Sequence, residues 1–159
     1  FCPDWWGTAE PIVITTFNRD ENTKSGTIKN VRFFNVTAKG ENGVLIHGND
    51  ENIIEDITFE NCKIELTKTS KWQCGLYDLR PCLDYGVESY DNSAFFIRYA
   101  KDVNIRKTKT RWGNLCDSYS YAIDAANVEN LNLYEFDGKS AKENTDDIKI
   151  DRVKLNYKR

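Results

Sequence analysis

Methionine is absent from the 159 residues, and the chain opens Phe1-Cys2-Pro3-Asp4-Trp5-Trp6 without a charged-then-apolar leader, so it reads as a portion of a longer polypeptide. No run approaches the roughly 18 apolar residues that a membrane-crossing helix needs; the longest is Ala94-Phe95-Phe96-Ile97. Cationic excess is missing as well, 22 Lys and Arg standing against 25 Asp and Glu for a net charge of -3. No basic field is therefore present to hold nucleic acid or an anionic membrane. The five cysteines, Cys2, Cys62, Cys74, Cys82 and Cys116, include no C-x-x-C pair, which removes zinc-finger and thioredoxin-like readings. Neither a metal nor another cofactor is expected. Cys74 and Cys82 flank a segment with Pro81 and fit a small disulfide loop in an oxidising compartment, while five scattered thiols equally fit reduced, buried cysteines. Helical periodicity is also missing, since no segment keeps an apolar spacing of about 3.6 residues for long.

What is present is an ordinary globular composition. Hydrophobic residues make up 40%, and adding glycine brings the apolar share to about 46%, which excludes disorder. A chain of 159 residues buries enough surface for one core and hardly for two. One domain over residues 1–159 is expected.

Within that length one word recurs four times: Ile28-Lys-Asn-Val31-Arg-Phe33-Phe-Asn35, Ile54-Glu-Asp-Ile57-Thr-Phe59-Glu-Asn61, Ala100-Lys-Asp-Val103-Asn-Ile105 and Val128-Glu-Asn-Leu131-Asn-Leu133. Its period of two predicts strands with Val31 and Phe33, Ile57 and Phe59, Val103 and Ile105, and Leu131 and Leu133 pointing inward. A second word precedes three of them, as Gly43-Val-Leu-Ile46-His-Gly48, Ala94-Phe-Phe-Ile97-Arg-Tyr-Ala100 and Tyr121-Ala-Ile123-Asp-Ala125. The words are 26, 46 and 28 residues apart, so a rung is duplicated or enlarged in the middle. Turn-forming stretches such as Lys39-Gly-Glu-Asn-Gly43 and Gly48-Asn-Asp-Glu-Asn52 separate the strands.

Strands and turns repeating every 25 or so residues fit a parallel β-solenoid better than a sandwich, whose strands recur at about 8 to 12 residues through hairpins. The in-register Asn30, Asp56, Asp102 and Asn130, with Asn35 and Asn61 beyond the inward Phe, suit side-chain ladders at repeated bends, hydrogen-bonding the next rung's backbone. Asn35-Val36-Thr37 is a sequon, but the alternation turns Asn35 inward, so no glycan is expected on it.

The Asn-Val-x-Phe-x-Asn word followed by Glu41-Asn42-Gly43-Val44-Leu45-Ile46-His47-Gly48 resembles the distal coils of polygalacturonase-like glycoside hydrolases, family 28. Asp4-Trp5-Trp6-Gly7-Thr8-Ala9-Glu10-Pro11-Ile12, Tyr77-Asp78-Leu79-Arg80-Pro81 and Trp112-Gly113-Asn114 are similar to a bacterial subgroup, and the likeness runs from about Asp4 to Gly138. The resemblance implies an all-β, right-handed parallel β-helix segment of a few coils with a long loop insertion. It also implies secretion or periplasmic export, a pectic or related polysaccharide as substrate, and inverting hydrolysis by aspartates. The family's Asn-Thr-Asp, Asp-Asp, Gly-His-Gly and Arg-Ile-Lys words are not in place here. Asn144-Thr145-Asp146-Asp147 falls in a charged tail, His47 sits in Ile46-His47-Gly48, and Ile105-Arg106-Lys107 is scrambled. No catalytic residue is assigned, and the catalytic half is expected upstream, with this chain inert alone. The alternative is a non-catalytic carbohydrate-binding or structural β-helix module, or an unrelated all-β binding domain.

Inverting hydrolysis needs two carboxyl groups about 6.5 to 9.5 Å apart, a separation that neighbouring or next-neighbouring rungs about 4.8 Å apart supply. Asp84, Glu88 and Asp91 read as solvated loop charges, with Asp117 and Asp124 one coil later. Asp78 and Arg80 alternate with Tyr77, Leu79 and Pro81, so they share a face; Arg80 either grips a uronate carboxylate or pairs with Asp78 to fix the insertion. Sugar rings stack on indole and phenol, and Trp72 and Trp112, each in a polar stretch, are the expected lining. Asp78, Arg80, Trp72 and Trp112 are thus the candidate substrate-binding residues. Trp5 and Trp6 are expected to pack on the first coil and His47 to be a hydrogen-bonded structural residue. A cut solenoid bares an apolar end, so self-association or an upstream β-helix segment is the expected partner, beside a poly- or oligosaccharide.

Overall fold

The computed structural model describes residues 10–158; Trp5, Trp6 and Cys2 lie outside the described residues. Among these the chain is all strand and turn, with no helix. The strands are β1 (Ile12–Thr15), β2 (Lys29–Phe34), β3 (Thr37–Gly40), β4 (Val44–His47), β5 (Ile54–Glu60), β6 (Lys63–Leu66), β7 (Leu76–Asp78), β8 (Val87–Ser89), β9 (Phe95–Arg106), β10 (Lys109–Trp112), β11 (Ile123–Tyr134) and β12 (Ile148–Lys158). One large sheet runs β1-β4-β9-β11-β12, with β2 beside β5 and β5 beside β9, and a smaller sheet runs β10-β6-β3. Every pair in both sheets is parallel.

The repeated words are in register. Val31, Ile57, Val103 and Leu131 are successive partners, as are Phe33, Phe59, Ile105 and Leu133, and the second word aligns Val44 with Phe95 and Ile123. Ile57, Phe59, Val103, Ile105, Leu131 and Leu133 are buried in one core, as alternation requires, and Val31 and Phe33 are half-buried against it because β5 is the one described strand that β2 pairs with. Phe33 stacks on Phe59 with centroids 4.6 Å apart. Gly43 is there because the next layer's backbone passes where a Cβ would sit, Ser93 O at 2.3 Å and Ala94 O at 2.4 Å.

The long middle interval is an enlarged rung, not a duplicated one. β5 pairs directly with β9, so no layer intervenes, and the extra residues leave sideways as the antiparallel hairpin β7–β8.

The bends explain the Asn and Asp positions. Asn30, Asp56, Asp102 and Asn130 form one column and Asn35, Asn61, Lys107 and Glu135 a second, all with φ between 46° and 63°. Short amide or carboxyl side chains tolerate this left-handed conformation better than other non-glycine residues. Their ladder bonds run from side chain to side chain and not to backbone as the repeats suggest: Asn130 donates to Asp102 at 2.8 Å and Asn61 to Asn35 at 2.7 Å. The bend also reverses one expectation. Asn35 is exposed, not inward, because its positive φ interrupts the alternation that carries Val31 and Phe33 inward.

Two further differences concern chain ends and thiols. The charged tail is a full layer, β12, parallel to β11 with Ile148, Val153 and Leu155 packed against the core. Its alternation was present, but one residue is missing between Val153 and Leu155 relative to Val128 and Leu131, so the Asn/Asp word is not spelled. Cys74 is bonded to Cys116, not to Cys82; Cys82 and Cys62 are free. Cys74 lies after the loop leaving β6 and Cys116 after β10, the neighbouring strand of the small sheet, whereas Cys82 lies within the loop that joins the two strands of the inserted hairpin.

Candidate functional site

The large sheet has an outward face, and its two halves differ. Over the first half the insertion folds down: Tyr77 and Leu79 bury against Leu45 and Phe96, with Tyr77 stacked on Phe96 at 4.6 Å. The loop that leads into it is clamped by Glu41, whose carboxylate accepts from Lys68 Nζ at 2.9 Å, Thr69 Oγ1 at 2.6 Å, Thr69 N at 2.8 Å, Ser70 Oγ at 2.9 Å and Ser70 N. Burial works to raise the Glu41 pKa, but the Thr69 and Lys68 bonds outweigh it and bring it to about 2.

Beneath this cover Arg98 reaches across to Asp124, and Lys149 reaches Asp124 from the next layer at 3.3 Å. His47 is enclosed by Phe17, Tyr85, Phe96 and Tyr99, with Nδ1 2.7 Å from Gly48 O. Burial, with the charge of Arg98, holds its pKa down at about 4. It is a neutral structural imidazole. Glu10 accepts from Asn42 at 2.9 Å, and burial, aided by the charge of Asp78, raises its pKa. Asn42 in turn accepts from Asn92 at 2.6 Å, and Asn92 accepts from Gly75 N at 2.8 Å. This amide chain ties the first layer's loop to the insertion.

The residues singled out in the sequence fall as follows. Asp78 and Arg80 do converge: Nε lies 2.8 Å from Oδ1 and Nη2 3.2 Å from Oδ2, while Arg80 N also donates to Oδ1 at 3.1 Å. The pair closes the end of β7. Trp112 packs against the core beside Tyr119, centroids 5.4 Å apart, and its indole N–H donates to Lys139 O at 2.8 Å. Trp72 is half-buried, its carbonyl taken by Lys68 and its ring faced by Lys71 at 5.1 Å. The Cys74–Cys116 bond joins the two loops that follow these tryptophans.

Over the second half no described segment folds down in the same way. Asn104, Asn132 and Asn156 succeed one another outward on β9, β11 and β12, in register with the buried Thr58 of β5, with Asn132 donating to Asn104 at 3.1 Å and Asn156 to Asn132 at 2.9 Å. Beside this amide ladder runs a row of Glu60, Arg106, Tyr134 and Lys158. The three asparagines and this row, together with Lys107, line an open depression of about 740 Å³. The repeated words foretold Asn104 and Asn132 as outward residues. Asn156 and Lys158 escaped notice because the last layer did. A row of amides at one spacing, three cations against the single carboxylate of Glu60, and one exposed phenol ring suit a ligand that is linear, hydroxyl-rich and anionic. Compared with protein-family models, with curated proteins and with solved structures, the chain matches none.

Proposed function

We propose that this chain is a segment of right-handed parallel β-helix from a secreted or periplasmic polygalacturonase-like glycoside hydrolase of family 28, and that it holds a pectic or related acidic polysaccharide without cleaving it. The in-register parallel layers and the repeated bends support the β-helix reading. The observation that carries the binding role is the uncovered amide ladder Asn104, Asn132 and Asn156, flanked by Arg106, Tyr134 and Lys158.

In this reading the polymer lies along the stacking direction. Amides exchange hydrogen bonds with hydroxyls, Arg106 and Lys158 meet carboxylates, and Tyr134 takes the apolar face of a ring. Arg80 is committed to Asp78, and Trp112 to Lys139 and Tyr119, so these and Trp72 serve by fixing the insertion and its loops. A non-catalytic carbohydrate-binding or structural β-helix module is the second reading, favoured by the same uncovered ladder.

Retention on a polygalacturonate gel tests the role. Tyr134→Ala and Asn132→Ala are expected to elute earlier than the parent, while Trp112→Phe, which keeps the packing, elutes with it; unchanged retention of Tyr134→Ala removes the ladder face from the site. Reducing-sugar release by the chain is expected at background, and clear turnover overturns the non-cleaving part of the reading. The presence or absence of catalytic words upstream in the full reading frame separates the hydrolase segment from the binding module.

A further inference from the structure

Charge alternates in sign from layer to layer on the outer surface. In the large sheet Lys29, Glu55, Lys101 and Glu129 are successive partners, joined as Lys29–Glu55 at 2.9 Å and Lys101–Glu129 at 3.4 Å. Lys154 is the single residue of β12 set opposite Glu129 and Asn130, so the column reads plus, minus, plus, minus, plus. The same order appears where Arg98, Asp124 and Lys149 follow one another, and where Lys39 meets Glu65 at 2.9 Å in the small sheet. An odd number of described layers with alternating sign puts cations on both the first and the last of them. Lys29, Arg32 and Lys39 stand on the first layer, and Lys149, Lys154 and Lys158 on the last.

The last described layer also has an open edge. Among the described residues β12 pairs only with β11, so along its 11 residues one row of backbone groups has no described strand beside it. Ile150 is 45% exposed and Tyr157 40%, and Val153 and Leu155 are only half-covered. Lys154 is exposed, and among the described residues no anion pairs with it. Stacking a second copy head to tail sets Lys154 over the Lys29 column, plus on plus, which is destabilising for directly opposed strand residues.

We infer that the free edge of β12 is a docking site for an acidic β-strand of another polypeptide, added in parallel, with Asp or Glu opposite Lys154 and aliphatic residues continuing the Val153 and Leu155 columns. Main-chain hydrogen bonds supply the attachment, and the sign of the outward side chains supplies the choice. The inference is independent of any sugar binding, which uses the outward face and not the edge.

Fluorescence anisotropy of the full chain with dye-labelled synthetic peptides of β12's 11-residue length tests it. One peptide alternates Val or Ile with Glu; its twin carries Lys in place of Glu. The Glu peptide is expected to bind at least about tenfold more tightly than its twin at low salt, with the gap closing near 1 M salt. Lys154→Glu, a surface change that leaves the fold intact, is expected to reverse the ranking, and amide exchange along β12 is expected to slow when the Glu peptide is bound. No binding, equal binding of the twins, an unchanged ranking in Lys154→Glu, or a β12-mediated dimer that the Glu peptide fails to displace each overturns the inference.

Discussion

Arg98 Nη2 lies 2.8 Å from Asp124 Oδ1, and the two side chains keep only 13% and 4% of their surface in water. The guanidinium also lies 3.8 Å over the Phe96 ring, so it is held by a charge on one side and a π face on the other. Asp124→Ala is expected to cost about 3 to 5 kcal/mol, because it strands a buried cation. The double change Arg98→Met with Asp124→Leu is expected to recover most of that. Urea unfolding of the three chains checks it, and a single variant as stable as the parent removes the pair from the accounts of the fold.

His47 sets an acid limit. Its pKa falls from the ordinary 6.5 to about 4, so folding favours the neutral ring; that contribution is complete above pH 6.5 and is lost as pH falls toward 4. The loss is on the order of 3 kcal/mol. Glu10 runs the other way, since its raised pKa favours the protonated fold below its ordinary 4.5 and fades as pH rises. Thermal melts between these limits are expected to drop with acid in the parent and to flatten in His47→Leu; parallel curves for both refute the assignment.

The disulfide closes a loop of 42 residues in sequence, for which chain entropy gives about 4 kcal/mol at most and strain commonly leaves 2 to 3. Cys74→Ser with Cys116→Ser is expected to lower the unfolding free energy by about that much. Non-reducing peptide mapping is expected to yield a Cys74–Cys116 cross-link, with Cys82 alkylated in the native protein and buried Cys62 only after unfolding; a Cys74–Cys82 peptide contradicts the pairing.

Asn127 tests the bends. It has φ of 53° and stands in a column with Tyr99 and Arg152. Asn127→Gly is expected to be near neutral, and Asn127→Val to cost about 1 to 2 kcal/mol, because a β-branched residue is strained there. Equal effects of Gly and Val would show that packing, not backbone conformation, sets this position.

The parallel layers were legible because their period of two and their Asn/Asp word recur at one interval. Val31, Ile57, Val103 and Leu131 could be aligned by eye, and the alignment matches the strand register. The β12 layer was not, since its bulge shift removes one letter from the word. Asn35 was read inward because alternation assumes an unbroken strand, and the left-handed residue breaks it. The thiol pairing was illegible in principle: Cys74 and Cys116 become neighbours only through the small sheet, which pairs residues 46 apart. At the candidate site, Asp78 and Arg80 were found together because they are two residues apart on one strand. The Asn104–Asn132–Asn156 ladder needed the layers before its members could be seen as one row.

Because β5 lies directly on β9 while the hairpin between them stands aside, the length of chain joining those two strands is free of the geometry of either. A foreign loop exchanged for β7–β8 would inherit a rigid mount at both feet and, once it supplies apolar groups in place of Tyr77 and Leu79 over Leu45 and Phe96, could carry a recognition surface; the same position is where related chains are expected to differ most in length.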